Sequence, residues 1–115
     1  MTQIDQHFSG SILAAARTLL DLTQAQVAAE ANISVSTLKR MEARGEHAPS
    51  GAPPSNNYRA VVAFLERAGI QFIPPDHDGD EGVRRKYLDE GAVEVLDRLF
   101  PGARDRDYVG VRRRK

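Results

Sequence analysis

Leu22-Thr23-Gln24-Ala25-Gln26-Val27-Ala28-Ala29-Glu30-Ala31-Asn32-Ile33-Ser34-Val35-Ser36-Thr37-Leu38-Lys39-Arg40-Met41-Glu42-Ala43-Arg44-Gly45 is the stretch that decides the fold. The Thr23 hydroxyl can accept from the Gln26 amide, and the Gln26 side chain can reach back to the Thr23 amide, the reciprocal pair of a capping box. This predicts a short helix from Gln24 to about Glu30, with Val27 and Ala28 turned inward. Asn32 stands where that helix should stop, and Asn is second only to Gly in tolerating a left-handed exit. Ser34 then caps a second helix, Val35 to about Arg44, which Gly45 ends.

Two capped helices around a three-residue turn form the helix-turn-helix layout, in which the second helix enters the DNA major groove. A helical wheel supports that use. With Leu38 set at about 0°, Met41 falls near 300° and Glu42 near 40°, while Ser36, Arg40 and Ala43 fall near 160°, 200° and 140°. One face is fit to pack; the other offers a hydroxyl, a guanidinium and a methyl. Arginine is the side chain best shaped to take both major-groove acceptors of guanine, and small neighbours permit close approach to the bases.

The segments Leu22-Thr23-Gln24-Ala25-Gln26-Val27-Ala28 and Ile33-Ser34-Val35-Ser36-Thr37-Leu38-Lys39-Arg40-Met41-Glu42 resemble the Cro/C1-type helix-turn-helix regulators, the XRE family. The resemblance covers about Ser9 to Ala68. It implies that Val35, Ser36 and Arg40 face bases. It also implies backbone contacts from Gln24, Ser34, Thr37, Lys39 and Arg44, with Gln24 bracing the second motif helix as well. Arg17 and Glu42 match a buried ion pair tying the first helix to the third. That accounts for a carboxylate on an otherwise apolar face, since a buried charge needs a partner. Two departures stand out: Asn32 replaces the motif's central glycine, and the loop from Glu46 to Asn56 is longer than in minimal members.

Outside the motif, Ile12, Leu13, Ala16, Leu19 and Leu20 mark a first helix from about Ser9 or Ser11 to Leu20. Ala60, Val61, Phe64 and Leu65 mark a fourth, from about Asn57 to Ala68, with Gly69 as its stop. Ile70 to Ile73 alternates and meets Pro74-Pro75, so it reads as a short strand. Asp76 to Gly82 reads as an acidic turn or loop, and Lys86 to Phe100 as a fifth helix. Tyr108 to Val111 is a candidate second strand pairing with Ile70 to Ile73. The fold class is thus mostly α, a five-helix, lambda-repressor-like DNA-binding fold, with its helix-turn-helix DNA-binding domain over 1–69. A small β/α extension follows over 70–115, with a strand, an acidic loop, a helix and the basic tail Arg112 to Lys115. Dimer contacts are expected on that extension, along Leu88–Phe100 and the strand edges.

Composition narrows the function. The chain has 115 residues and 12.7 kDa, which suits one domain. It contains no Cys, which excludes disulfides and thiolate metal sites. Asp76-His77-Asp78-Gly79-Asp80 has the look of a calcium loop but fails at its sixth position, Glu81, and its twelfth, Tyr87. His7, His47 and His77 sit apart, and no catalytic constellation is present. No metal, cofactor or enzymatic activity is therefore expected. No apolar run approaches membrane-spanning length, and Asp5 lies where a secretory leader would be basic, so a cytoplasmic location is expected.

Sixteen basic residues balance sixteen acidic ones. Over Met1–Ala48, Arg17, Lys39, Arg40 and Arg44 face Asp5, Asp21, Glu30, Glu42 and Glu46, four cations against five anions. A single copy on that balance would hold phosphates weakly, so a homodimer on double-stranded DNA with a palindromic operator is expected. The alternative is an antitoxin or adaptor-type module that binds a second protein through its C-terminal half, with DNA binding secondary.

Overall fold

In the computed structural model the chain is described over residues 8–43, 55–86 and 89–100. The elements run α1 (Gly10–Leu19), α2 (Gln24–Ala31), α3 (Val35–Ala43), α4 (Asn56–Arg67), β1 (Ile70–Ile73), β2 (Gly82–Arg85) and α5 (Glu90–Leu99). The caps do what side-chain chemistry requires. Thr23 Oγ1 accepts from the Gln26 amide at 3.0 Å and Gln26 Oε1 accepts from the Thr23 amide at 2.9 Å, completing the box. Asn32 ends α2 in the left-handed region at φ 59°. Asp21, between α1 and α2, adopts the same conformation at φ 60° without any local signal that singled it out.

The four N-terminal helices, the hairpin and α5 share one core. Leu13, Ala16, Val27, Leu38, Val61, Val62, Phe64, Leu65, Ile70, Phe72, Ala92 and Leu96 belong to a single buried cluster. α1 packs on α3 and β2, α2 on α3 and α4, and α4 carries β1 and α5.

Among the described residues the hairpin supplies a strand that the sequence reading left out, and one helix start is corrected. The partner of Ile70–Ile73 is Gly82–Arg85, antiparallel, with Phe72 opposite Val83 and Gln71 opposite Arg84. The expected partner, Tyr108–Val111, lies outside the described residues, as do Leu88 and the Arg112–Lys115 tail. The physical reason is turn chemistry: Asp76 Oδ1 accepts from the amides of Asp78 at 2.8 Å and Gly79 at 3.1 Å, which reverses the chain onto β1. Helix α5 also begins later than Lys86, because Asp89 caps it through the Ala92 amide at 2.8 Å.

Gly10 is a point of backbone-to-backbone packing. A Cβ there would overlap the Met41 carbonyl oxygen and lie 2.8 Å from that of Glu42, at the far end of α3. Gly10→Ala is expected to lower the unfolding free energy by about 1–3 kcal/mol, read as a reduced urea midpoint.

Phe8, packed on the Phe72 ring at 5.0 Å between centroids, donates its amide to the Tyr58 hydroxyl. Burial pushes the Tyr58 phenol up to about 12 from 10; the Phe8 hydrogen bond opposes this, and Glu81 and Glu66 add to it. A raised pKa in the folded chain means its stabilisation is complete below pH 10 and is lost as pH climbs from 10 towards 12. At pH 11 that loss is about 1 kcal/mol. Tyr58→Phe should be less stable at about pH 8 yet show a flatter decline between about pH 9 and 11 in urea titrations.

Candidate nucleic-acid interface

The second motif helix, α3, is anchored by one side chain. Leu38 is fully buried, while Ser36, Lys39, Arg40 and Ala43 on the remaining faces are exposed or half-exposed. Ser34, also on the outside, spends its hydroxyl on the helix: its Oγ accepts from the Thr37 amide at 3.0 Å and lies 2.8 Å from Thr37 Oγ1. The Arg40 guanidinium in turn donates to Thr37 Oγ1 at 3.4 Å, a long bond that restrains it along the helix. Val35 packs partly on the core, so only part of its surface faces outward. An open groove lined by Thr37, Arg40, Met41 and Ala43 runs beside this face. Arg44 lies outside the described residues.

The orientation of α3 is set from behind. Arg17 Nε donates to Glu42 Oε2 at 2.8 Å and its Nη2 to Glu42 Oε1 at 2.9 Å, while Nη1 reaches the Leu22 carbonyl at 3.0 Å. Gln24 Nε2 adds a third donor to Glu42 at 2.9 Å. One carboxylate thus collects donors from α1 and the start of α2, and such charge-assisted, two-pronged pairing fixes direction as well as distance. With both prongs and Nη1 engaged, Arg17 serves the frame instead of the exposed face.

Residues 13–52 match the helix-turn-helix family profile, a span that contains the capping box, the Asn32 turn and all of α3. The matched span is similar to the Cro/C1-type helix-turn-helix domains of the XRE family. No curated protein matches the chain. This likeness supports a DNA-binding transcriptional regulator of the XRE type, and the third helix of the matched span carries the exposed Arg40. No helix among the described residues is long and apolar enough to cross a membrane.

What the sequence did not disclose are two contacts behind the helix-turn-helix: Gly10 on the end of α3, and the Ser9 amide on Glu81 Oε2 at 3.0 Å. Neither has a local signature, since the partners are dozens of residues apart. At the hairpin tip, Asp76, His77 and Asp78 cluster with ligand atoms within 4.8 Å of one another, all exposed.

Proposed function

We propose that the protein is a sequence-specific regulator that docks α3 in the major groove of a palindromic operator as a homodimer. Val35, Ser36 and Arg40 read bases; Gln24, Ser34, Thr37, Lys39 and Arg44 hold the sugar-phosphate backbone. The observation that carries this reading is the division of α3, with Leu38 sealed in the core and Ser36, Lys39 and Arg40 turned outward together. Residues 1–69 supply the DNA contacts, and 70–115 brace them and furnish the dimer contacts. Two copies are needed because four cations against five anions over the first 48 residues give one copy little hold on phosphate. Such a regulator works in the cytoplasm, beside the DNA it reads, and the proposal requires no catalytic group, metal or cofactor.

The test is selection of bound duplexes from a random-sequence library at about 150 mM salt, followed by footprinting, because affinities depend steeply on salt. Two protected segments about 10 base pairs apart, or a multiple, support a two-fold reader. A single protected segment sinks the dimer, and recovery of no preferred sequence favours the protein-binding module.

A further inference from the structure

We infer that Glu81, in the hairpin, is a positioning residue for the DNA-reading helix α3, acting through the start of α1. The inference rests on α3 being the helix that reads DNA. Two helix starts in the same molecule carry it by their difference. At α2, the capping residue Thr23 and the third helical residue Gln26 satisfy each other's amides. At α1, the capping residue Ser9 bonds the Ile12 amide through Oγ at 3.3 Å, but Ile12 has no polar group to return the bond. Glu81 returns it instead, from 72 residues away, accepting from the Ser9 amide at 3.0 Å.

The carboxylate also stands at the positive end of a helix that has no acidic residue of its own in its first turn. Ser9 is 6% exposed, so its amide has little access to water as a substitute acceptor. The hairpin therefore finishes a capping box that α1 cannot finish alone.

Gly10, the next residue, sets the effect of holding the start of α1. Its α-carbon lies against the carbonyls of Met41 and Glu42. Seven residues on, Arg17 occupies the same face of α1 two turns later and grips the Glu42 side chain. The last turn of α3 is thereby fixed at two points along one helix. Glu81 governs the first, and loosening it lets α1 and the end of α3 pivot about the Arg17–Glu42 pair.

The test compares the full chain with Glu81→Ala and Glu81→Gln on the selected duplex, at a temperature where urea curves show all three fully folded. Glu81→Ala should weaken binding about tenfold, the worth of one charge-assisted hydrogen bond. The dependence on salt should be unchanged, because no phosphate contact is removed. Glu81→Gln, which keeps an acceptor oxygen, should restore most of the loss. Amide exchange at Met41, Glu42 and Ala43 should accelerate in the alanine variant relative to Leu65 and Leu96, and not in the glutamine variant. Unchanged affinity, an altered salt slope, or a loss that glutamine does not restore overturns the inference. If the unsubstituted chain selects no duplex, the reading of α3 as a DNA helix fails. Exchange at 41–43 then decides alone whether Glu81 positions α3.

Discussion

Arg40→Ala is expected to weaken operator binding at least about a hundredfold while leaving the unfolding free energy within about 0.5 kcal/mol of the parent. The side chain is exposed, and its intramolecular hydrogen bond among the described residues is the long one to Thr37. The fold therefore gives up little when it is removed. On DNA the loss is large, because a bidentate guanine contact is worth about 1–3 kcal/mol and a two-fold dimer makes it twice. The signature separates base reading from phosphate holding. Removing a base contact relaxes preference at one position of each half-site, whereas Lys39→Ala should weaken all sequences alike and lower the salt slope. Fluorescence anisotropy on matched and singly mismatched duplexes at two salt concentrations reads both. Retained affinity in Arg40→Ala would remove this helix from the recognition surface.

Glu42→Ala is expected to be the most destabilising of these substitutions, by about 3–5 kcal/mol. The carboxylate is 7% exposed and receives Arg17 Nε, Arg17 Nη2 and Gln24 Nε2, so its removal strands a guanidinium that is itself only 20% exposed. A domain of this size has only about 5–15 kcal/mol to lose. The partial exposure of Arg17 places the expectation at the lower end of the range, because water can re-solvate part of the stranded charge. The double variant Arg17→Leu with Glu42→Leu should recover much of the loss, since removing both partners leaves no unpaired charge. Urea denaturation of the two single leucine variants and the double closes the cycle. A single-variant loss under about 1 kcal/mol would show that the pair is ornamental to stability.

The readable parts of the sequence were those whose physics is local. Thr23, Gln26, Asn32 and Ser34 each act within three or four residues, and the helix boundaries they imply fall within a residue or so of those observed. Likewise the outward placement of Ser36 and Arg40 opposite Leu38 follows from helical geometry alone. The second strand was not legible, because Val83-Arg84-Arg85 has one apolar side chain and reads as a charged connection. Its conformation comes from pairing with Ile70–Ile73, where Val83 faces Phe72 and Arg84 donates to Gln71 at 2.6 Å. At the interface, a wheel reports which residues point outward but not which are restrained. It gave no hint that Thr37 steadies Arg40, or that Val35 divides its surface between the core and the outside.

The bond between Ser9 and Glu81 also bears on timing. A chain made from its N-terminus completes the helix-turn-helix well before the hairpin exists, since domains emerge in order of synthesis. Until residue 81 has been made, the amide of Ser9 has only water to receive it, and the amide of Phe8 waits for Tyr58. Closing a contact across 72 residues also costs more loop-closure entropy than the local caps, because the intervening chain must be ordered before the bond rewards it. The nascent chain thus carries α3, the proposed reading helix, early and gains the Ser9–Glu81 bond late. On the proposed reading, a copy ending at the α4 boundary would keep the residues expected to contact bases but lack the Glu81 acceptor and the Ile70, Phe72, Ala92 and Leu96 part of the shared core.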